Sequence, residues 1–339
     1  MSEPGAEDEA VMAAERISVR FAVGRRTLVA VDDVSLALHR GRTVALVGES
    51  GSGKSTLAMA MMRATAPDEG RILFQGRDIT RLSERRLKPL RRHFQMVFQD
   101  PYASLDPRLT VGRVIAEPLR AHRLGDRRAI RARVAEVLDQ VGLPSSAMNR
   151  YPAQFSGGQR QRISIARALA ARPSVIVADE PVSALDVSIQ AQIVGLLAEI
   201  QASENLAYLV IAHDLALVHH ISDRVVVLYL GRVLEEGPTA EVVSAPLHPY
   251  TAALLSATPT PDDPQRERIV LSGEPPSPID RPAGCVFHTR CPIARPMCAT
   301  HTPTLDEAGP GRTVACFFPG ELASGLTVTS APTRRKEGS

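Results

Sequence analysis

GESGSGKST, at residues 48–56, is the most informative stretch of this 339-residue sequence. It fits the pattern G-x-x-x-x-G-K-[ST], in which glycines let backbone N–H groups face phosphate oxygens. The lysine of this pattern reaches the β- and γ-phosphates, and the next hydroxyl binds Mg²⁺. The predicted phosphate-binding residues are Gly48, Glu49, Ser50, Gly51, Ser52, Gly53, Lys54, Ser55 and Thr56.

Strand-like and helix-like segments alternate on both sides of this loop. Short, mostly apolar or β-branched runs occupy residues 17–23, 34–38, 43–47, 174–178, 207–212 and 224–230. Longer helix-like segments occupy residues 54–63, 127–141, 159–171 and 187–201. Apolar strands alternating with helices predict an α/β fold, with a mixed or parallel sheet covered by helices on both faces. Residues 1–14 are predicted to be a disordered acidic lead.

Two adjacent acids, Asp179 and Glu180, follow the apolar run 175–178. They are expected at the carboxyl end of a buried strand, where α/β sheets bind ligands. Asp179 suits the ligand shell of Mg²⁺, and Glu180 suits polarisation of an attacking water. Together with the phosphate loop, the pair predicts hydrolysis of a nucleoside triphosphate.

Composition excludes several classes of protein. The hydrophobic fraction is 44% and the charged fraction is 23%, as in ordinary soluble chains. No apolar run approaches the roughly 18 residues that a transmembrane helix needs, and the acidic start lacks the apolar core of a secretory signal. A cytosolic protein is therefore expected. Because Lys+Arg 40 and Asp+Glu 37 leave a net charge of only +3, no nucleic-acid partner is expected.

Basic residues are nevertheless concentrated in two stretches. Residues 81–93 hold six Lys or Arg against Glu84, and residues 120–133 hold six Arg against Asp126. Such runs are commonly solvated helix faces. The less favoured alternative is a surface near anionic lipid headgroups or an acidic partner.

FSGGQRQR, at residues 155–162, resembles the signature motif of ATP-binding-cassette ATPases, with Phe in place of the commoner Leu. Four further matches follow the family's order. Gln99 in VFQDP resembles the loop glutamine that senses Mg²⁺, and SALD at 183–186 resembles the loop that crosses between two ATP sites. His213 in IAHD resembles the histidine that holds the γ-phosphate, and Phe21 lies where the family stacks an aromatic ring on adenine.

The resemblance covers about residues 15–245 and implies a nucleotide-binding domain with an antiparallel β subdomain. It also implies a helical insertion at about 100–160. Glu180, His213 and Gln99 would be catalytic, and Ser55, Gln99 and Asp179 would hold Mg²⁺. In this family two ATPase subunits join head to tail, and each ATP lies between one chain's phosphate loop and the other's signature. The residues expected at that interface are Ser156, Gly157, Gly158, Gln159 and Asp186.

Two further stretches, the second of them after residue 246, restrict the resemblance to one subclass of the family. EPVSALDVSIQAQI and LHPYTAALL (247–255) resemble ATPase subunits of oligopeptide and dipeptide importers, which implies an extension over 246–320 and a flexible tail over 321–339. The implied partners are two transmembrane permeases, a second and paralogous ATPase subunit and, indirectly, an extracytoplasmic solute-binding protein. The chain would lie peripherally on the cytoplasmic face of the membrane. Nickel and glutathione remain alternative cargoes, and a soluble cassette ATPase of translation or DNA repair is the alternative class.

All four cysteines lie close together in the extension: Cys285, Cys291, Cys298 and Cys316. Zinc sites favour close C-x2–4-C pairs, but the spacing here is C-x5-C-x6-C-x17-C. The wide loops favour a [4Fe–4S] cluster, and the resemblance to peptide importers implies the same. Zinc and metal-free packed thiols remain open. Because few apolar residues lie between 283 and 320, a metal is expected to replace a hydrophobic core there.

Overall fold

The computed structural model describes residues 9–183, 185–212, 215–257 and 269–324. The strands are β1 (Met12–Val23), β2 (Arg26–Leu38), β3 (Thr43–Val47), β4 (Glu69–Phe74), β5 (Arg77–Asp78), β6 (Phe94–Val97), β7 (Val175–Asp179), β8 (Ala207–Ala212), β9 (Arg224–Tyr229), β10 (Arg232–Pro238), β11 (Asp306–Gly309) and β12 (Arg312–Val314). The α-helices are α1 (Lys54–Met61), α2 (Glu84–Leu87), α3 (Pro101–Ser104), α4 (Val111–Ile115), α5 (Glu117–Ala121), α6 (Arg127–Gln140), α7 (Gly157–Ala170), α8 (Val187–Glu204), α9 (Leu215–Ile221), α10 (Thr239–Ser244), α11 (Pro249–Ser256), α12 (Pro296–Thr300) and α13 (Glu321–Ser324). Short 3₁₀ helices occupy Arg91–His93, Ser145–Asn149 and Pro152–Gln154.

The central sheet has the strand order β11-β12-β10-β9-β3-β8-β7-β6. The five strands β9, β3, β8, β7 and β6 run parallel, whereas β10, β12 and β11 are added antiparallel. Strand β3 lies between β8 and β9, and all five of its residues are buried. The predicted mixed sheet with helices is confirmed.

The side chains of β3 alternate between two hydrophobic clusters, because successive residues of a strand point to opposite faces. Val44 and Leu46 pack with helix α1 and the antiparallel β1–β4 sheet. Ala45 and Val47 pack with β9 and the C-terminal extension. A third cluster joins β7 and β8 to helices α4–α8. The strand that leads into the phosphate loop is therefore held from both faces.

The antiparallel subdomain has the order β2-β1-β4-β5. Strand β1 begins at Met12, which is fully buried and pairs with Leu38 and Phe74. The predicted lead of residues 1–14 is thus too long, and residues 1–8 lie outside the described part of the chain. The strands predicted at 17–23 and 34–38 are longer in the structure, Met12–Val23 and Arg26–Leu38. The prediction was too short because one face of the hairpin is exposed and its polar residues interrupt the apolar pattern.

Helices α3–α7 and two of the 3₁₀ helices occupy residues 101–170 between β6 and β7. The helix predicted at 127–141 is Arg127–Gln140, capped by the side chain of Asp126, which accepts a hydrogen bond from the backbone of Ala129. Its buried face, Val134, Val137 and Leu138, packs into the same cluster as Ile163 and Ile165 of α7. The signature segment at the start of α7 therefore lies in a layer of helices that packs beside the sheet.

The C-terminal extension shares the core of the rest of the chain. Strand β12 pairs with β10 through Glu235 and Glu236, and Phe287 is fully buried against Tyr229 and Tyr250. The expectation that a metal must replace a core in 283–320 is therefore wrong, because the segment borrows apolar neighbours from β9 and α11. Helix α13 also lies inside the tail predicted at 321–339.

None of the helices in the described residues is long and apolar enough to span a membrane.

Candidate functional site

The phosphate loop connects the end of β3 to the start of α1. The Nζ atom of Lys54 donates hydrogen bonds to the carbonyl oxygens of Gly48, at 2.7 Å, and Glu49, at 2.8 Å. These bonds hold the ammonium group inside the curve of the loop. Burial lowers the pKa of Lys54, which is only 6% exposed, and the nearby acids Glu180, Asp179 and Glu49 oppose that shift.

The β1–β2 hairpin borders the phosphate loop. A side chain at Gly53, where φ is 103°, would meet the carbonyl oxygen of Ala30 at 2.2 Å, so only glycine fits this approach. Phe21 lies on the same hairpin, and its side chain is 42% exposed. The structure therefore leaves the Phe21 ring accessible on the element next to the loop.

Two carboxylates approach the loop from β7, the second strand from β3. The Ser55 hydroxyl lies 3.4 Å from Oδ1 of Asp179, so two of the three predicted Mg²⁺ ligands come together. Burial raises the pKa of Asp179, and the neighbouring Glu180 adds to that rise. A bound divalent cation would favour the ionised form that burial disfavours.

Gln99 follows β6, the strand paired with β7, and its Nε2 donates a hydrogen bond of 2.7 Å to Oε2 of Glu180. The structure thus brings Gln99, Glu180, Asp179 and Ser55 to one end of the sheet. His213 lies outside the described residues. Chemically, the cluster offers one cation for phosphate, oxygen ligands for Mg²⁺ and a carboxylate for a water molecule.

The signature segment begins helix α7. Ser156 is its N-cap, and its hydroxyl accepts a hydrogen bond from the backbone of Gln159 at 3.4 Å. A side chain at Gly158 would lie 2.6 Å from Cγ2 of Ile189, so the helix start packs against the first turn of α8. Asp186 is the N-cap residue of α8.

No hydrogen bond among the described residues joins this signature segment (156–159) to the phosphate loop (48–56). The exposed Ser156 hydroxyl and the α7 N-terminus offer a second group of phosphate donors. The two groups are separate features of one chain.

The four cysteines line one small cavity of about 20 Å³, together with two histidines, His248 and His288, and with apolar residues that include Phe287. All four are free thiols, and burial raises the pKa values of Cys291 and Cys316 to about 11. Within the described ranges, no three His, Cys, Asp or Glu side chains are placed to hold a metal ion. The four cysteines that the sequence groups together therefore do converge in space, as free thiols around one cavity.

Three residues near the site were missed by sequence reasoning. Tyr250 and Arg290 both hydrogen-bond to Glu49, and Arg281 binds Asp32 and the backbone of Val29 next to the loop. Tyr250 lies in LHPYTAALL, one of the stretches that carry the family resemblance, and this was the only signal in the sequence for any of the three residues. Nothing in the local sequence marks the two arginines.

A mixed α/β sheet with a phosphate loop, a carboxylate pair and a separate signature helix defines an ATP-binding-cassette ATPase. The family described as "ABC transporter" matches residues 31–183, and the family "Oligopeptide/dipeptide transporter, C-terminal region" matches residues 234–298. The chain belongs to the ATP-binding-cassette transporter ATPases that carry this oligopeptide/dipeptide transporter C-terminal region.

Relatives of known name agree with this assignment. The chain is 55% identical to the oligopeptide transport ATP-binding protein AppF of Bacillus subtilis, over 85% of this chain and 89% of AppF. It is 51% identical to the putative oligopeptide transport ATP-binding protein YkfD of the same organism, over 89% and 94% of the two chains. The ADP- and phosphate-bound cassette MJ0796 is similar in structure, with a TM-score of 0.62 and 30% identity, over 67% of this chain and 98% of MJ0796.

Proposed function

We propose that this chain is the ATP-hydrolysing subunit of an importer and powers the entry of oligopeptides or dipeptides through partner permeases. The juxtaposition of Lys54, Ser55, Asp179 and Glu180 at the carboxyl end of the sheet carries the hydrolytic part of this proposal. The match of residues 234–298 and the names of AppF and YkfD support the peptide cargo. In this proposal residues 15–245 are the cassette and 246–320 the extension.

The roles follow from charge and position. Lys54 and the loop N–H groups bind the β- and γ-phosphates, while Ser55, Asp179 and Gln99 hold Mg²⁺, which supplies neutralising charge when bound. Glu180 orients and polarises the attacking water and is itself oriented by Gln99. Phe21 stacks on adenine, and His213 holds the γ-phosphate, as the family resemblance implies.

The separation of signature and phosphate loop supports a head-to-tail pair of ATPase subunits. Residues 156–159 and Asp186 of one subunit then bind the ATP held by the other, and hydrolysis removes contacts that favour closure. The dimeric state described for MJ0796 is consistent with this arrangement. We propose that the second subunit is a paralogue and that the pair acts at the cytoplasmic face of the membrane on two permeases.

The experiment is reconstitution in proteoliposomes with candidate permeases and a candidate solute-binding protein from the same organism. Mixed di- to pentapeptides should stimulate ATP turnover and accumulate inside, and Lys54→Ala should abolish both effects. Stimulation by nickel or glutathione alone would overturn the peptide cargo. Copurification with ribosomes or DNA in place of permeases would overturn transport.

We further propose that the four cysteines hold a [4Fe–4S] cluster. The convergence of four thiols on one cavity supports this proposal, although the thiols of the described residues are not arranged to hold a metal ion as they stand. A cluster would supply cross-links between the turns that carry the cysteines. Because burial raises the pKa values of Cys291 and Cys316 to about 11, binding of a cluster by these two thiolates must release protons.

Anaerobic purification tests this second proposal. The protein should be brown, contain iron and acid-labile sulfide, and lose both in Cys291→Ser. Colourless protein with stoichiometric zinc would overturn the cluster. Metal-free protein with a folded extension would overturn any metal site.

A further inference from the structure

Glu49 introduces a negative charge into a loop that binds anions. It is the second residue of GESGSGKST, its side chain is 28% exposed, and its charge acts on Lys54. An uncompensated carboxylate at this position would repel the phosphate groups that the loop attracts, because like charges a few ångströms apart repel strongly where water is scarce. The loop therefore needs a counter-charge for Glu49.

The C-terminal extension supplies one. Nη1 of Arg290 lies 2.7 Å from Oε2 of Glu49, and the backbone N–H of Glu49 donates a hydrogen bond of 2.7 Å to the Tyr250 hydroxyl. Both partners lie in the extension, although Glu49 precedes them by about two hundred residues. The extension thus holds the side chain and the backbone of one loop residue.

Arg290 is well placed to neutralise the charge of Glu49. Its side chain is only 8% exposed, and its guanidinium carbon lies 6.0 Å from the centre of the Tyr229 ring. Tyr229 packs in turn on Tyr250 and Phe287, with ring centres 4.8 and 5.3 Å away. A charge-assisted hydrogen bond in such a dry, packed setting is strong and fixed in direction.

Other contacts anchor the extension independently of Arg290. Arg312 pairs with the fully buried Glu235, and Arg281 pairs with Asp32. Strand β12 is hydrogen-bonded to β10 as well. The Arg290–Glu49 pair is therefore not required to dock the extension, and its position points to a task at the loop.

We propose that Arg290 is a positioning residue of the ATP site that neutralises Glu49, so that the extension sets the affinity of the phosphate loop for nucleotide. This inference rests on the assignment of residues 48–56 as the ATP site. Through the Arg290–Glu49 pair the extension contributes to the electrostatics of the nucleotide site, and Tyr250 fixes the backbone of Glu49. Loss of the positive charge leaves Glu49 facing the phosphates.

The test is the dissociation constant of a fluorescent ATP analogue for the full-length isolated chain. Arg290→Gln should weaken binding about tenfold, which corresponds to about 1.4 kcal/mol. Glu49→Gln combined with Arg290→Gln should recover most of the affinity that Arg290→Gln loses, because the double variant removes the carboxylate that Arg290 neutralises. The weakening should also shrink as salt rises, because salt screens partly exposed charges.

Arg295→Gln is the matched control. Arg295 lies in the same segment and pairs with Glu321, away from the phosphate loop, so its removal should leave nucleotide affinity unchanged. Equal losses in the two arginine variants, or no rescue by Glu49→Gln, would overturn the proposal in favour of general loosening. If wild type and Lys54→Ala bind the analogue equally, the assigned ATP site itself fails.

Discussion

Glu180 has a left-handed backbone conformation, with φ of 44°, immediately after β7. Such a conformation costs a residue with a side chain about 1–3 kcal/mol and is found where the surroundings enforce it. Here the backbone N–H of Glu180 bonds to the carbonyl of Ile211, and its carboxylate accepts from Gln99. The strained turn directs this carboxylate toward the phosphate loop, where a water-polarising group is needed.

Glu180→Gln should bind ATP normally but reduce turnover by about a hundredfold or more. The amide keeps the shape and a hydrogen bond with Gln99, but it removes the charge that polarises water, and such electrostatic positioning supplies much of the rate in phosphoryl transfer. Steady-state ATP hydrolysis and analogue binding measure the two effects. Turnover within about threefold of wild type would contradict the role, and Glu204→Gln at the end of α8 serves as the control.

His248 makes the extension sensitive to acid. It is buried, its Nδ1 accepts a hydrogen bond from the backbone of Tyr250 at 3.0 Å, and burial lowers its pKa to about 3. Below about pH 6.5 the unfolded chain takes up a proton on His248, but the folded chain does not. Protonation therefore favours the unfolded chain, and the folded chain loses stability as the pH falls from 6.5 toward 3.

The free energy of unfolding should therefore fall by up to about 1.4 kcal/mol per pH unit on account of His248. Asn can accept the same capping hydrogen bond without titrating, so His248→Asn should flatten the pH dependence between pH 6.5 and 4.5. Denaturant unfolding at several pH values measures this slope. An unchanged slope would refute the assignment, and the exposed His301→Asn should leave the slope as it is.

Helices α4, α5 and α6 line a groove of about 510 Å³ with a basic rim and a partly apolar floor. Four exposed arginines line it, and none has an acidic partner among the described residues: Arg113, Arg120, Arg127 and Arg131. Ile130 and Val134 contribute apolar surface. In the proposed importer, this surface would suit an acidic, amphipathic segment of a partner permease.

Arg127→Glu combined with Arg131→Glu should uncouple transport in reconstituted vesicles while leaving basal ATP hydrolysis within about twofold. The reversal places like charges opposite an acidic partner, which weakens docking without touching the ATP site. Arg128→Glu is the matched control, because Arg128 is adjacent in sequence but does not line the groove. Normal transport in the double variant would leave these arginines as a solvated face.

Across the whole molecule, the cassette could be predicted from sequence because its phosphate loop and acids lie next to the strands that position them. Glycines, a lysine and acids recur at fixed distances from apolar strands, so Lys54 and Asp179 could be placed from their neighbours in sequence. The extension was not predictable in the same way. Phe287 and Arg290 act through Tyr229 and Glu49, and such distant pairings leave no periodic signal in the intervening chain. The start of β1 was misplaced because Met12 is buried by Leu38 and Phe74.

The pairing of β12 with β10 also bears on solubility. Without β12, β10 would be an open edge strand, with unpaired backbone groups at Glu235 and Glu236 that could template association with other chains. The actual edge on this side of the sheet is β11, a four-residue strand with the exposed acids Asp306 and Glu307, a composition that discourages such pairing.

A chain truncated after residue 245 should therefore self-associate at micromolar concentration, as measured by light scattering, whereas the full chain should not. A monodisperse truncated chain would show that the cassette protects this edge by other means.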